Sequence, residues 1–460
     1  MEDLAVVDPT AAASTTGADA ATAGHQGDER RAAAFADWAK YVGADITSLV
    51  SLPVWVMEPY TLLQKVAEIM EGAPCLATAA QTEDEFERMA WVAGFCLAPF
   101  GGNERTWKPF NPILGETFEL DTGGEGGGRF LAEQVSHHPP IGAARAEGPG
   151  WAYDIVSAPA TRFLGNAVDI FPRGRTRIHL PGHGEAYALA PPNSKAHNLI
   201  VGRTWVDCYG DLTLTNLKTG TVCALTFTPC GWFGAGRYGV SGHIADAAGG
   251  KRLAVSGAWN SHLDVTRCDP ESGEATPGAG RTRVWACPPR PEGDRFGFTH
   301  FARRLCAGAG LDPLPSDSRR RPDRAALEAG DQRAAGGHKH ALEEAQRAER
   351  RAREEVGRAG GGGPAGGAWA PRWFRAVDAE AARAAGALHA NDADPGDCPV
   401  FEFSGDLDAA FNKKGDGGGG GACGGAPSCT GRGFCPWQFP DLHSELRDYE
   451  APPSLPPAAE

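Results

Sequence analysis

The sequence predicts a mainly β fold with flanking helices (α+β), in which an incomplete antiparallel β-barrel lies between N-terminal and C-terminal helical parts. Between residues 117 and 266, short alternating segments recur about every ten residues, which is typical of an antiparallel meander. Helical patterns precede this region, and a long charged helix follows it. A barrel of this size can enclose a cavity for a small apolar molecule.

The composition is that of a globular protein that is acidic overall. Hydrophobic residues make up 42% of the chain and charged residues 22%, which is enough apolar material for a large core. The formal net charge of −14 argues against nucleic acid as a partner, because phosphate neutralisation needs a basic face. A local cationic pocket can still bind an anionic group. None of the 12 cysteines forms a C-x-x-C pair, which predicts reduced thiols in a cytoplasmic protein.

The N-terminal quarter of the chain divides into a tail, a lid region and a helical part. Residues 1–28 are rich in Ala, Thr and Gly, and we expect them to be disordered. They contain acidic residues but no Lys or Arg, unlike a signal peptide. A lid region is predicted over 29–57, and its apolar residues are Phe35, Trp38, Val42, Leu49 and Leu52. Either these side chains pack in the core, or they form a hinged lid that covers a cavity or touches a bilayer.

Two helices are predicted in the helical part, residues 58–107. They cover 59–71 and 82–95, and Thr82 and Glu85 have the spacing of a capping box at the start of the second helix. The longest apolar stretches of the chain are shorter than the about 20 residues that a membrane-spanning helix needs. Any contact with a membrane is therefore expected to be peripheral.

The barrel core is predicted over 108–266, and a loop over 267–281 follows it. The predicted strands cover 130–135, 152–157, 166–171, 198–209, 211–217, 221–228, 237–244, 251–256 and 261–266. The C-terminal helical part, 282–380, contains one long helix over 334–358. Residues 413–460 form a Gly-rich tail whose possible zinc ligands, Cys423, Cys429, Cys435 and His443, match no standard spacing, so we expect no metal site.

A pair of histidines followed by two prolines is the first candidate binding feature. Pro139 and Pro140 end a strand here, so the imidazoles of His137 and His138 can turn toward one ligand. Two histidines near neutrality can donate hydrogen bonds to a phosphate group. Taken alone, the pair is explained more simply by local hydrogen bonds at the end of a strand.

Two cationic features lie far from this pair in the sequence. Lys108 begins the block KPFNPILGE, where the following proline keeps it extended, and Asn111 suits the tight turn that follows. Lys339, Glu343 and Arg347 follow one another at intervals of four, so they occupy an arc of about 80° on the long helix. They form either a solvated salt-bridge stripe or, where the helix covers the barrel mouth, a site for an anionic group.

The sequence contains no G-x-S-x-G elbow, P-loop or H-E-x-x-H motif. We therefore expect no catalytic residues and no cofactor.

Several blocks resemble the lipid-binding domain of the oxysterol-binding protein (OSBP)-related family. They are EQVSHHPP at 133–140, KPFNPILGE at 108–116, the strands at 198–220, the helix motif from Lys339 to Arg347, and Trp373-Phe374 after a proline and an arginine. The resemblance assigns residues 29–412 to that domain and implies a lid, a helical bundle, and a barrel that encloses a lipid. It implies phosphatidylinositol 4-phosphate as a ligand, with a headgroup site formed by Lys108, Asn111, His137, His138, Lys339, Glu343 and Arg347.

The function implied by this resemblance is lipid transfer. The protein would extract phosphatidylinositol 4-phosphate and exchange it for a second lipid, sterol or phosphatidylserine, between membranes. Sterol-binding members have a Gln-Tyr pair where this chain has the apolar residues 94–97, which keeps phosphatidylserine open as the second lipid. The alternative is a phosphoinositide sensor or scaffold without net transport. In either case we expect a cytoplasmic monomer that contacts membranes, or membrane contact sites, transiently and peripherally.

Overall fold

The computed structural model describes residues 36–46, 51–123, 127–307, 313–358, 370–384, 387–392 and 398–405, together with Leu407 and Phe411. Fifteen strands form one large sheet that does not close on itself, so the predicted incomplete antiparallel barrel is confirmed. Among the described residues, no helix combines the length and the apolar character needed to span a membrane.

The N-terminal part contains short helices and two short strands. In chain order they are a 3-10 helix Ala36–Tyr41, a 3-10 helix Val54–Val56, β1 (Met57–Thr61), a helix Leu62–Ala67, a 3-10 helix Glu68–Gly72, helices Ala73–Gln81 and Glu85–Leu97, a 3-10 helix Ala98–Glu104, and β2 (Lys108–Phe110). Strands β1 and β2 pair in parallel and form a separate sheet of two strands.

The starts of these helices differ from the prediction. Residues 59–61 belong to β1, and Thr61 forms a capping box with Gln64 at the start of the first helix. The second predicted helix starts at Glu85, and its N-cap is Asp84, whose side chain accepts from the amides of Phe86 and Glu87. Thr82 does not cap that helix, because its hydroxyl donates to the carbonyl of Thr78.

The large sheet is an antiparallel meander. Its strands are β3 (Thr117–Asp121), β4 (Arg129–His137), β5 (Pro140–Gly148), β6 (Trp151–Ser157), β7 (Ala160–Phe163), β8 (Ala167–Phe171), β9 (Gly174–Leu180), β10 (Glu185–Ala190), β11 (Asn193–His197), β12 (Trp205–Asn216), β13 (Val222–Phe227), β14 (Gly239–Ala245), β15 (Lys251–Ala258), β16 (His262–Arg267) and β17 (Arg281–Ala286). The main path runs from β17 through β12 and β10 to β3, while β11, β8 and β7 form a branch that begins on β12.

Two boundaries of the predicted barrel are wrong. The segments 198–209 and 211–217 are not two strands, because β12 begins at Trp205 and continues through Gly210 to Asn216. This long strand pairs with β11 along its first part and with β10 along its last part. The sheet also continues past the predicted end at residue 266, since β17 pairs with β16 after the predicted loop.

The sheet curves around the N-terminal helices. The helix Leu62–Ala67 contacts β3 and β4 near one end of the strand order, and the helix Glu85–Leu97 contacts β17 at the other end. At Gly94 a side-chain carbon would lie 2.8 Å from the carbonyl oxygen of Val284, so this helix packs directly on β17. These helices and the concave face of the sheet share one apolar core.

The last described segments of the C-terminal part cover the convex face of β4 to β6. Its elements are helices His300–Ala307, Pro322–Glu328, Gln332–Arg358 (the long helix) and Ala379–Ala384, a 3-10 helix Ser318–Arg320, and the paired strands β18 (Phe374–Val377) and β19 (Val400–Phe403). Trp373, Phe374 and Phe401 pack on Leu131 and Val156. Strands β4 to β6 are therefore buried on both faces.

The lid region rests on the β7–β8 branch. Trp38 is buried, and its ring meets that of Phe163 edge-on at 5.4 Å. The amide of Gly43 donates to the carbonyl of Phe163 over 2.7 Å, and Leu52 is half-buried in the same cluster. The prediction that the lid residues pack in the core is wrong for Val42, because 58% of this residue is exposed.

Several predictions concern residues outside the described ranges. These are the disordered tail 1–28, the lid residues Phe35 and Leu49, and the tail 413–460 with Cys423, Cys429, Cys435 and His443.

Candidate functional site

The turn that follows Lys108 is held by a buried arginine. The guanidinium of Arg321 donates to the carbonyl of Asn111 over 2.8 Å and pairs with Glu116 over 2.9 Å. Asp323 binds the other side of the guanidinium over 2.6 Å. Glu116 also accepts from the amide of Ile113 over 2.9 Å, which closes the turn. The block KPFNPILGE therefore has a fixed shape that presents Lys108 and Asn111.

The same turn is joined to the strand that carries the two histidines. The amide of Gly115 donates to the carbonyl of Gln134 over 3.0 Å, and the amide of Gln134 donates to the carbonyl of Glu116 over 2.8 Å. Gly115 has φ +77°, a conformation that favours glycine. Strand β4 ends at His137, which pairs with Pro140 across a tight turn, so the predicted strand end is observed.

The long helix lies against this turn. The side chain of Gln346 accepts from the amide of Leu114 over 3.0 Å, and Leu342 packs on Ile113. Lys339 and Glu343 lie on the same face of the helix as Leu342 and Gln346, because side chains three and four residues apart are neighbours. This face therefore points toward the turn that carries Lys108.

Lys339 and Glu343 form an ion pair that includes a residue of the lid region. The ammonium of Lys339 lies 2.6 Å from Oε1 of Glu343 and donates to the hydroxyl of Ser51 over 2.5 Å. The Ser51 hydroxyl lies 3.1 Å from Oε2 of Glu343. Arg347 is 3.6 Å from Glu343 and also pairs with Glu344, with 44% of its side chain exposed. Arg347 therefore lies at the outer edge of the site.

Lys108 is half-buried and lies among other cations. Its ammonium donates to Oδ1 of Asn111 over 2.5 Å. Burial, and next the charge of Lys339, lower the pKa of Lys108 to about 8, although Glu343 acts in the opposite direction. A bound anion would therefore stabilise the charged form of Lys108.

The histidine pair lies beside these cations. The rings of His137 and His138 are 4.9 Å apart, and Nδ1 of His137 is buried without a hydrogen-bond partner among the described residues. Burial, followed by the nearby His138, lowers the pKa of His137 to about 4. Partial burial and the charge of Arg350 lower the pKa of the more exposed His138. Both rings are therefore neutral at pH 7 and can donate N–H groups.

The structure brings most of the predicted headgroup residues to one end of the sheet. Glu343 is close enough to both Lys108 and His137 to influence each of them electrostatically. Asn111 is exposed and bound to Lys108. Cationic and N–H donors outnumber carboxylates here, an arrangement suited to a multiply charged anion. Among the described residues, no three His, Cys, Asp or Glu side chains form a metal site.

Three residues of this site were missed from the sequence: Ser51, Arg321 and Gln346. Arg321 lies in the run SRRRPDR at 318–324, which shows an excess of arginine but not which arginine is buried. Ser51 and Gln346 have no local signal, because their partners are 288 and 232 residues away.

The position of the expected sterol-contacting pair is apolar and buried. Phe95 and Cys96 lie in the core, and the ring of Phe95 meets that of Tyr153 edge-on at 5.4 Å. This position offers no polar side chain to a ligand hydroxyl.

Comparison with known proteins identifies relatives across most of the chain. The family model described as Oxysterol-binding protein matches residues 35–392. Oxysterol-binding protein-related protein 3C of Arabidopsis thaliana is 46% identical over 353 residues, covering 76% of this chain and 75% of the relative. Oxysterol-binding protein-related protein 3B of the same plant is 42% identical over 409 residues, covering 88% of this chain and 82% of the relative.

Solved structures show the same architecture. The crystal structure of the Osh1 ORD domain in complex with cholesterol has a TM-score of 0.68 and 31% identity, covering 83% of this chain and 90% of that one. The crystal structure of the Osh3 ORD in complex with PI(4)P from Saccharomyces cerevisiae has a TM-score of 0.60 and 27% identity. It covers 72% of this chain and 84% of that one. The sequence blocks, the curved open sheet and these similarities agree, and the chain belongs to the oxysterol-binding protein family.

Proposed function

We propose that this protein extracts phosphatidylinositol 4-phosphate from one membrane and exchanges it for a second lipid, sterol or phosphatidylserine, at another. The observation that carries the proposal is the convergence of Lys108, the His137–His138 pair and the Lys339–Glu343 pair at one end of the barrel. The Osh3 relative, which has the same fold, was solved in complex with PI(4)P.

Each residue has a distinct role in this proposal. Lys108 and Lys339 supply charge to the phosphate groups, and the neutral imidazoles of His137 and His138 donate N–H groups. Glu343 keeps Lys339 oriented or accepts from an inositol hydroxyl. The acyl chains enter the barrel, where each buried CH₂ contributes about 0.8 kcal/mol.

The second lipid would occupy the same cavity, so the two lipids would compete for it. A gradient of one lipid can then drive transport of the other. The Osh1 relative was solved in complex with cholesterol, which supports a sterol as the second lipid. The apolar Phe95–Cys96 position favours phosphatidylserine, because a sterol hydroxyl would find no polar side chain there.

Lipid transfer between liposomes tests the proposal. The wild type should move a fluorescent phosphatidylinositol 4-phosphate, and His137→Ala/His138→Ala should abolish this movement while transfer of the second lipid persists. The matched control is His338→Ala/His340→Ala, an exposed pair that flanks Lys339 on the long helix. Equal loss of both lipids in the His137/His138 variant would mean that the pair is structural. Binding without transfer by the wild type would indicate a sensor.

Mass spectrometry of co-purified lipids identifies the second ligand. Sterol or phosphatidylserine in stoichiometric amount, displaced by added phosphatidylinositol 4-phosphate, would support exchange in one cavity. Simultaneous retention of both lipids would contradict competition.

A further inference from the structure

Several turns leave the large sheet at the same end as the histidine pair. Ser157 at the end of β6 pairs with Gly142 at the start of β5, next to the turn that carries His137 and His138. The β7–β8 branch extends beyond that point, and His197 at the end of β11 pairs with Trp205 at the start of β12. The register therefore places the turn 164–166 and the loop 198–204 at this end.

The loop between β13 and β14, residues 228–238, also lies at this end. Phe227 at the end of β13 pairs with Gly210, so the loop runs alongside the first residues of β12. The amide of Cys230 donates to the side chain of Asp207 over 2.8 Å. The guanidinium of Arg237 lies over the ring of Trp205 at 4.9 Å.

Exposed apolar side chains concentrate at this end. Among the described residues, the exposed large hydrophobic side chains are Val42 (58%), Leu164 (42%), Val201 (56%), Leu217 (41%), Trp232 (89%) and Phe233 (106%). Leu217 follows the far end of β12, and the others lie on the lid, the β7–β8 turn and the two loops described above. We call these five residues the mouth rim. Such a concentration on one side of a protein marks an interaction surface.

The aliphatic members of the rim are held together by Asn166. Its Oδ1 accepts from the amides of Ile200 and Val201 over 2.9 and 3.0 Å, and its Nδ2 donates to the carbonyl of Val201 over 3.1 Å. Backbone hydrogen bonds join the lid to Phe163 just before the turn. The lid, the turn and the loop 198–204 thus form one continuous edge.

The aromatic members are presented by a closed turn. The amide of Gly231 donates to the carbonyl of Ala235 over 2.8 Å, and Phe233 has φ +56°, an uncommon conformation for a non-glycine residue. The backbone is therefore fixed, while the side chains of Trp232 and Phe233 lie in solvent. Because the turn is fixed, these two aromatic side chains can be removed from water only by a partner outside the chain.

The charges around the rim fit an anionic surface. Lys40 and Arg203 are exposed beside it, and so is Arg162, which also pairs with Asp169 over 3.7 Å, although the whole chain carries a net charge of −14. The exposed carboxylate of Asp45 lies there too and binds Thr161. Aromatic side chains prefer the interface between lipid headgroups and acyl chains, and cations add attraction to anionic lipids.

We propose that the mouth rim docks on an anionic bilayer, with Trp232 and Phe233 inserted at the level of the headgroups and with the barrel mouth facing the membrane. The choice of a bilayer as the partner rests on the proposed function, because a lipid would pass through the end of the barrel at which the rim lies.

Binding to vesicles tests the docking. Vesicles of phosphatidylcholine and phosphatidylglycerol contain an anionic lipid but neither phosphoinositide nor phosphatidylserine, so they keep the proposed lipid ligands out of the measurement. Trp232→Ala/Phe233→Ala should weaken co-sedimentation about tenfold or more, which corresponds to about 1.4 kcal/mol. Leu217→Ala, an exposed residue outside the rim, should bind like the wild type. Equal binding by all three proteins would overturn the docking.

Two further measurements separate docking from headgroup recognition. Calorimetry with a soluble short-chain phosphatidylinositol 4-phosphate should give the same affinity for the wild type and for the Trp232/Phe233 variant. If the wild type does not bind this lipid while the variant still loses vesicle binding, the headgroup proposal fails and the docking stands. Brominated phospholipids should quench wild-type fluorescence more than that of Trp232→Phe, and equal quenching would contradict insertion.

Discussion

Lys108 links the proposed headgroup site to pH. Its pKa of about 8 reflects burial and the neighbouring Lys339, and a bound phosphate dianion would raise that pKa again. Well below pH 8 the ammonium is charged with or without ligand, so Lys108 adds no pH dependence to the affinity there. Above pH 8 binding must take up a proton, so affinity falls as pH rises.

We expect the affinity for a soluble phosphatidylinositol 4-phosphate to fall between pH 8 and 9.5 by up to about tenfold per pH unit. Lys108→Gln should bind weakly and without this slope, because the amide does not titrate. Lys218→Gln, far from the site, should keep the wild-type slope. Calorimetry across this pH range provides the measurement, and a flat wild-type profile would contradict the role of Lys108.

Glu116 stabilises the fold as well as the site. Glu116→Gln removes one carboxylate from buried Arg321, and breaking a buried pair from one side should lower the free energy of unfolding by about 3–5 kcal/mol. The control Glu354→Gln affects only exposed pairs with Arg350 and Arg358, where about 0.5 kcal/mol or less is expected. Denaturant unfolding measures the free energy of unfolding of both variants. Equal losses in the two variants would show that the buried pair contributes no more to stability than the exposed pairs.

Among the secondary-structure elements, those with regular patterns were predicted from sequence and those with irregular patterns were not. The long helix was predicted within two residues of its start, because its charged face repeats at helical spacing. Strand β11, with the sequence NSKAH, has no apolar alternation. It pairs on both sides, with β8 and β12, so tertiary pairing rather than local pattern defines it.

The same contrast applies to the site. The blocks around Lys108, His137 and Lys339 were found because each has a distinctive local sequence. Ser51 and Gln346 were not found, because they acquire their partners only when the lid and the long helix reach the mouth. Local sequence therefore identified the groups that would touch a ligand, and the fold revealed the groups that orient them.

The lid is an element whose attachment can be weakened separately. Trp38→Ala removes the contact with Phe163, so amide exchange in residues 36–46 should become at least tenfold faster, while the global unfolding free energy changes little. Lipid release should become faster as well. Val42→Ala, at an exposed position of the same segment, is the control. Unchanged exchange in Trp38→Ala would mean that other contacts hold the lid.

At the scale of the whole molecule, the C-terminal part completes the fold. Glu133 of the block EQVSHHPP accepts from the amides of Arg372 and Trp373 over 2.7 and 2.8 Å, and Trp373 and Phe374 cover the convex face of β4 to β6. A chain that lacks this part would expose that apolar face and leave a buried carboxylate without its donors.

Truncation tests the domain boundary. A chain that ends at residue 369 loses Trp373 and Phe374, each worth about 3 kcal/mol or more, and should aggregate or unfold without cooperativity. A chain that ends at Phe411 should unfold cooperatively, with a midpoint close to that of the full chain. Circular dichroism during heating measures both chains. Cooperative unfolding of the shorter chain would show that the C-terminal part is dispensable.

The bond between Glu133 and Trp373 spans 240 residues, which has a consequence for biosynthesis. At about 5–20 residues per second, the ribosome needs roughly 10 to 50 s to make that stretch. During this interval the nascent β4 strand lacks its C-terminal cover, and the long helix that carries Lys339 is still being added. A growing chain must therefore keep an apolar sheet surface from aggregating, and it can gain the ability to hold a lipid only near the end of its own translation.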